Sequence, residues 1–247
     1  MKERRFRTIY ANFVIAAVLI VSFGIAVVFT APTGDQSEAV NNTAIYEGDK
    51  NCQSVALMFN VYERTDIVEK IADIFDEYGY KTTFFVGGSW AGKNHDTLTR
   101  LASGGFEIGN HGYMHRDHAK LSLKQNKDEI TVTEKLIDST LSALPEYKNC
   151  KLFAPPSGSM GKNMFEACKE LDYRVIMWTR DTIDWRDHDE NLIFERATKG
   201  LKAGDLILMH PTDCTVAALP KILDHIKAQG LKADIVSNVI ENTAEQE

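Results

Sequence analysis

The sequence predicts an α/β fold, an incomplete or distorted (β/α) barrel of seven or eight units preceded by one apolar N-terminal helix. Three observations carry that expectation. From about residue 52 onward short apolar runs alternate with longer amphipathic stretches, unusual polar residues fall just past the predicted strands, and residues 11–30 carry no charge. Such alternation marks repeated β-α units and a mainly parallel sheet. Eight units close a barrel, and seven leave it incomplete. An open doubly wound sheet is the alternative, but no GxGxxG follows the first strand, so a nucleotide has no support.

About 20 helical residues cross a hydrocarbon core of about 30 Å, so residues 11–30 read as a transmembrane anchor. Lys2, Arg4, Arg5 and Arg7 lie in the basic segment 1–10, and Asp35 and Glu38 follow the apolar run. The positive-inside bias then keeps the N-terminus cytoplasmic and makes the membrane a partner, with the following domain extracytoplasmic. A cleaved signal peptide is the alternative; against it, the run exceeds an h-region of about 7–15 residues, and Pro32 disfavours a cut after Ala31. Residues 31–51 are polar and without period, as a tether would be, and the barrel domain is expected over 52–247.

Within that domain the first strand is expected at 54–60 and the first helix at 66–78, with Asp66 as N-cap, Ile67, Ile71, Ile74 and Phe75 on one face, and Gly79 as the stop. Further strands are expected at 81–86, 106–110, 152–154, 173–178, 205–209 and 233–236. Helices are expected at 96–102, 122–144, 162–171, 191–201 and 217–229. The chain has 247 residues and a net charge of −7, with no basic cluster after the N-terminus, which argues against a nucleic-acid partner. Cys52, Cys150, Cys168 and Cys214 share no CxxC spacing, so neither a zinc knuckle nor a redox motif is indicated.

Active sites of parallel α/β folds sit at the C-terminal ends of strands. Asn60, His111, the pair Pro155-Pro156, Asp181 with Trp185, and His210 all fall at or just past such ends. His111 and His115 are four residues apart, a spacing at which two imidazoles can share one metal ion. That spacing alone is weak evidence, but Leu206-Ile-Leu-Met-His210 ends another strand and sharpens it.

With these runs in hand, the chain resembles the polysaccharide deacetylases of the NodB-homology type, carbohydrate esterase family 4. The resemblance rests on Thr82-Thr-Phe-Phe-Val86, Glu107-Ile-Gly-Asn-His111 with His115, Phe153-Ala-Pro-Pro156, Trp178-Thr-Arg-Asp181-Thr-Ile-Asp184-Trp185 and Leu208-Met-His210, in that order. It implies a NodB-type distorted barrel that removes N-acetyl groups from N-acetylglucosamine in a cell-wall glycan such as peptidoglycan. It also implies a divalent metal, Zn or else Co or Ni, with His111 and His115 as ligands. His210 would be the general acid, suited by an imidazole pKa near 6.5. Asp181 would orient that histidine. The Ser157 backbone N–H, after Pro156, would stabilise the oxyanion, and Trp185 would wall the sugar.

The pattern breaks in its first motif. The family's Thr-Phe-Asp-Asp-Gly is matched here by Met58-Phe59-Asn60-Val61-Tyr62, and Ala154 stands where an Arg normally holds the base. Asn60, at the base position, cannot take a proton near neutral pH, and Val61 cannot bind a metal. Loss of the Arg is consistent, since without its carboxylate it would be an unpaired charge. Three readings follow: a modified hydrolase in which Asp66 or the Asn60 amide oxygen completes the metal sphere, a glycan-binding structural or regulatory module, and a tethered interaction protein. Asp66 also suits the helix start, where acids serve capping and the helix dipole. His95, His188 and His225 read as surface or capping residues, and His118 and Asp117 as exposed neighbours of the histidine turn.

Overall fold

The computed structural model describes residues 43–241. Its strands are β1 (Ala44–Ile45), β2 (Ser54–Val61), β3 (Thr83–Val86), β4 (Glu107–Asn110), β5 (Leu152–Phe153), β6 (Arg174–Ile176), β7 (Arg180–Asp181), β8 (Leu206–Met209) and β9 (Lys232–Ala233). Every pairing is parallel, in the order β1-β6-β5-β4-β3-β2-β8-β7, with β9 on the early part of β2. β1 and β7 end that order, so the sheet is a curled half-barrel rather than a closed ring.

The helices are α1 (Thr65–Tyr78), α2 (Gly88–Ala91), α3 (His95–Ser103), α4 (Leu123–Leu141), α5 (Lys162–Glu170), α6 (Asp184–Asp187), α7 (Glu190–Thr198), α8 (Asp213–Ala228) and α9 (Val236–Ile240). α4 starts on a capping box, in which the Ser122 hydroxyl and the Gln125 side chain satisfy each other's backbone N–H. α1 ends on Gly79 in the left-handed region, as expected.

β2 carries the architecture. All eight of its residues are buried, which its unbroken apolar run anticipates for a strand covered on both faces. Successive side chains alternate sides. Val55, Leu57, Phe59 and Val61 pack toward the helices, in a cluster with Ile71, Phe75 and Phe84, whereas Ala56 and Met58 point inward with Phe85, Ile176 and Leu208. The Phe59 ring stacks on Phe84 at 5.5 Å and meets Phe75 edge-on at 6.0 Å. This register assigns Asn60 to the inner side, with Ala56 and Met58, at the C-terminal mouth of the barrel.

Several expectations shift. Residues 44–45, expected in the polar tether, form β1 on β6, and Gly48 N–H donates to the Gly204 carbonyl at 2.7 Å, so the end of that segment belongs to the barrel. α1 begins one residue early, with Arg64 at the N-cap in the left-handed region and Asp66 in the first turn rather than at the cap. The expected strand 173–178 is shortened to β6, an additional short strand, β7, follows it, and α2, α6 and α9 are helices too short to show a period. The transmembrane segment 11–30 and the basic segment 1–10 lie outside the described residues. Among the described residues, no helix is long and apolar enough to cross a membrane.

Gly109 in β4 lies directly across from Phe85 in β3, and a Cβ there would meet that ring at 2.4 Å. Gly109→Ala is therefore expected to destabilise the barrel by about 1–3 kcal/mol, the usual cost of overpacking. Thermal and urea melts check this, and an unchanged midpoint would refute the close packing of ring on glycine.

Candidate active site

The C-terminal ends of β2, β4 and β8 bring Asn60, His111, His115 and His210 around one cleft. Its larger lobe holds about 1000 Å³ and its smaller lobe about 490 Å³. Those four residues and Trp185 line both lobes, while Ser157 and Asp181 line only the smaller. The indole of Trp185 is 55% exposed, a large apolar face left to solvent at the mouth.

His111 follows β4 directly, and its backbone N–H continues the ladder to the Val86 carbonyl at 3.0 Å. Its ring is 1% exposed, and Nδ1 donates to the Ala154 carbonyl at 2.6 Å. That bond fixes the tautomer and leaves Nε2 as the lone-pair nitrogen. Burial lowers the His111 pKa to about 3, so the ring is neutral at physiological pH. The His115 imidazole lies edge-on to it at 5.6 Å and is likewise depressed, chiefly by desolvation.

His210 is oriented by a carboxylate, but by Asp184 rather than Asp181. Asp184 is fully buried; its Oδ1 pairs with His210 Nδ1 at 2.8 Å, and its Oδ2 accepts the His210 backbone N–H and the Thr215 hydroxyl, both at 2.7 Å. Asp181 instead accepts the Ile183 N–H at 2.8 Å. That bond folds a turn in which Ile183 takes a positive φ of 53°, and the turn delivers the next residue, Asp184, beneath His210. A carboxylate on Nδ1 fixes the ring's orientation and leaves His210 Nε2 to the cleft.

Asp66 does not reach the site. Its exposed carboxylate is held by Arg64, Nε to Oδ1 at 3.2 Å, and Arg64 also binds Asp213 at 3.1 Å, so the guanidinium draws it toward solvent. Asn60 is only 6% exposed, and its Oδ1 has no hydrogen-bond partner. Val61 packs among apolar side chains on the helix side of β2. Two neutral imidazoles are thus the donors gathered here, and among the described residues no three His, Cys, Asp or Glu side chains converge as a metal site. A hydrolytic zinc centre takes three protein ligands and an open position. The residues present do not make up that set.

His118, expected to be exposed, is fully buried: its ring packs on Phe153 at 5.1 Å and its Nδ1 bonds Asn126 Oδ1 at 2.7 Å. The functional residue whose role the sequence does not reveal is Asp184. It stands inside the Trp178–Trp185 run, and its signal was a second acid three residues after the first.

A model of the polysaccharide deacetylase family matches residues 47–176. This chain belongs to that family. It is 32% identical over 206 residues to the uncharacterized protein YlxY of Bacillus subtilis, covering 83% of this chain and 63% of that protein. It is 27% identical over 206 residues to a peptidoglycan-N-acetylglucosamine deacetylase of Bacillus cereus, covering 81% of this chain and 73% of the relative. Among solved structures it is similar to BA3943 of Bacillus anthracis, a CE4 family pseudoenzyme, at a TM-score of 0.75 and 29% identity over 80% of this chain and 69% of that one. A mutant of BA3943 has restored enzymatic activity.

The buried histidines set a pH dependence. His111 and His118 both have pKa values lowered in the fold by desolvation, so below about 6.5 the unfolded chain binds protons that the folded chain refuses. Their contribution is therefore constant above pH 6.5 and is lost as pH falls toward about 3, the His111 value. The melting temperature is expected to drop between pH 6.5 and 4.5, and less steeply in His118→Gln. Equal slopes in the two proteins would exclude His118 as a source.

Proposed function

We propose that this chain recognises an N-acetylated amino-sugar glycan of the cell wall, of the peptidoglycan kind, in a deacetylase-type cleft whose hydrolytic power is reduced. The observation that carries this reading is Asn60: a buried amide stands at the mouth, beside His111 and His210, where the family resemblance calls for a carboxylate base. The acid half of the reaction is intact in form. His210 Nε2 faces the cleft, backed by Asp184, and is placed to hand a proton to a leaving amine. The base half is missing, because an amide does not accept a proton from water near neutral pH. A positioned general acid or base contributes typically 10²–10⁴-fold.

Two further supports come from relatives. Several named relatives are peptidoglycan-N-acetylglucosamine deacetylases, which favours an N-acetylglucosamine-containing ligand, and BA3943 supplies a precedent for a pseudoenzyme on this fold. The exposed Trp185 offers the flat apolar face on which a sugar ring stacks. A metal-dependent hydrolase with slow turnover is the second reading, favoured by the retained His111–His115 pair. The charge-free run 11–30 supports a location on the outer face of a membrane, close to such a glycan.

The deciding measurement is acetate release from N-acetylglucosamine oligomers by the full chain in mild detergent, with and without Zn²⁺, Co²⁺ or Ni²⁺. Asn60→Asp is expected to raise the rate by about 10²-fold or more, and His210→Ala to remove that gain. Wild-type turnover as fast as that of Asn60→Asp, and abolished by His210→Ala, would replace the impaired reading with the hydrolase. By calorimetry the wild type is expected to bind the oligomers and Trp185→Ala to bind about tenfold more weakly, a change of about 1.4 kcal/mol. No measurable binding by the wild type would sink the glycan reading itself.

A further inference from the structure

The family's first motif ends in Asp-Asp-Gly, and this chain has Asn60-Val61-Tyr62 in its place. The third exchange puts a phenol where the family has no side chain. The Tyr62 hydroxyl reaches the carbonyl oxygens of His111 at 2.6 Å and Gly112 at 2.9 Å, and it accepts the backbone N–H of His115 at 2.9 Å. Its ring lies 5.3 Å from the His111 imidazole and meets the His115 imidazole edge-on at 4.9 Å. The turn it touches bends sharply, with Gly112 at φ 72° and His115 at φ 53°, a conformation unfavourable for a residue with a Cβ. The middle of the same turn is held from the other side, where Glu129 Oε2 accepts the N–H groups of Tyr113 and Met114, both at 2.8 Å. Five consecutive residues thus have backbone groups anchored by two protein side chains.

In the family pattern, a metal held by the second Asp and the two histidines would itself tie the end of the first strand to the histidine turn. Val61 cannot take part in such a tie, and Tyr62, one residue further on, makes a different one between the same two segments. We propose that Tyr62 is a positioning residue that, with Glu129, holds the His111–His115 turn in its cleft-lining shape without a metal ion. The site has also been cleared for the ring: a Cβ at Gly87 would lie 2.1 Å from it, so the Tyr62 ring fits only over glycine.

The test is amide hydrogen exchange read by mass spectrometry on the full chain in mild detergent, in EDTA and in 1 mM Zn²⁺. Exchange over residues 111–116 is expected to be the same in both buffers for the wild type. In Tyr62→Phe, which keeps the ring and loses the hydroxyl, it is expected to run at least tenfold faster there while the segment around Asp184 and His210 is unchanged. Gly87→Ala, which displaces the ring, is expected to give the same local acceleration and decides the matter should Tyr62→Phe not fold. A wild-type turn that opens in EDTA and closes with Zn²⁺ would make a metal the tie and overturn the proposal. So would unchanged exchange in the variants.

Discussion

A strand buried along eight residues must pair on both sides, because its N–H and C=O groups have no water to turn to. β2 meets that constraint by lying between β3 and β8, with β9 covering its start. Alternation along it then leaves no freedom at the mouth of the barrel. Residue 60 points inward and residue 61 outward into the helix layer, where Val61 is at home among apolar neighbours. The character of the cleft follows from which side chains this strand delivers at its C-terminal end.

Around that end the chemistry is uneven. One side holds a histidine backed by a buried carboxylate with three hydrogen-bond donors, the arrangement that keeps an imidazole oriented. The other side holds two desolvated, neutral imidazoles and an amide whose oxygen has no partner. With no carboxylate beside Asn60, an Arg at position 154 would have lacked a counterion; Ala154 stands there, and its backbone carbonyl accepts from His111 Nδ1.

Much of this was legible in the sequence. The β-α rhythm located the main strands, and the histidines were assigned to one rim because each follows an apolar run. What escaped depends on contacts between distant segments or on single backbone angles. Asp181 and Asp184 are both acids in one short run, and only the left-handed Ile183 between them decides which lies under His210. His118 is buried because Asn126 and Phe153 meet it, one on a helix and one on a strand. Asp66 sits close in sequence to Asn60, yet Arg64 bridges it to Asp213, a residue 147 positions away. β1 is two residues long and joins the sheet only through β6.

The fit between Tyr62 and Gly87 bears on how such a protein changes over time. Returning position 62 to glycine alone would empty the space between Gly87 and the two imidazoles and untie the turn, and a buried void costs stability even when function gains nothing. Placing a carboxylate at 61 alone would set a charge among the side chains that Val61 now packs against. Neighbouring exchanges of this kind are not additive, so each single reversal passes through a weaker protein than either endpoint. Steric contact between Tyr62 and Gly87 thus opposes a change at either position made alone.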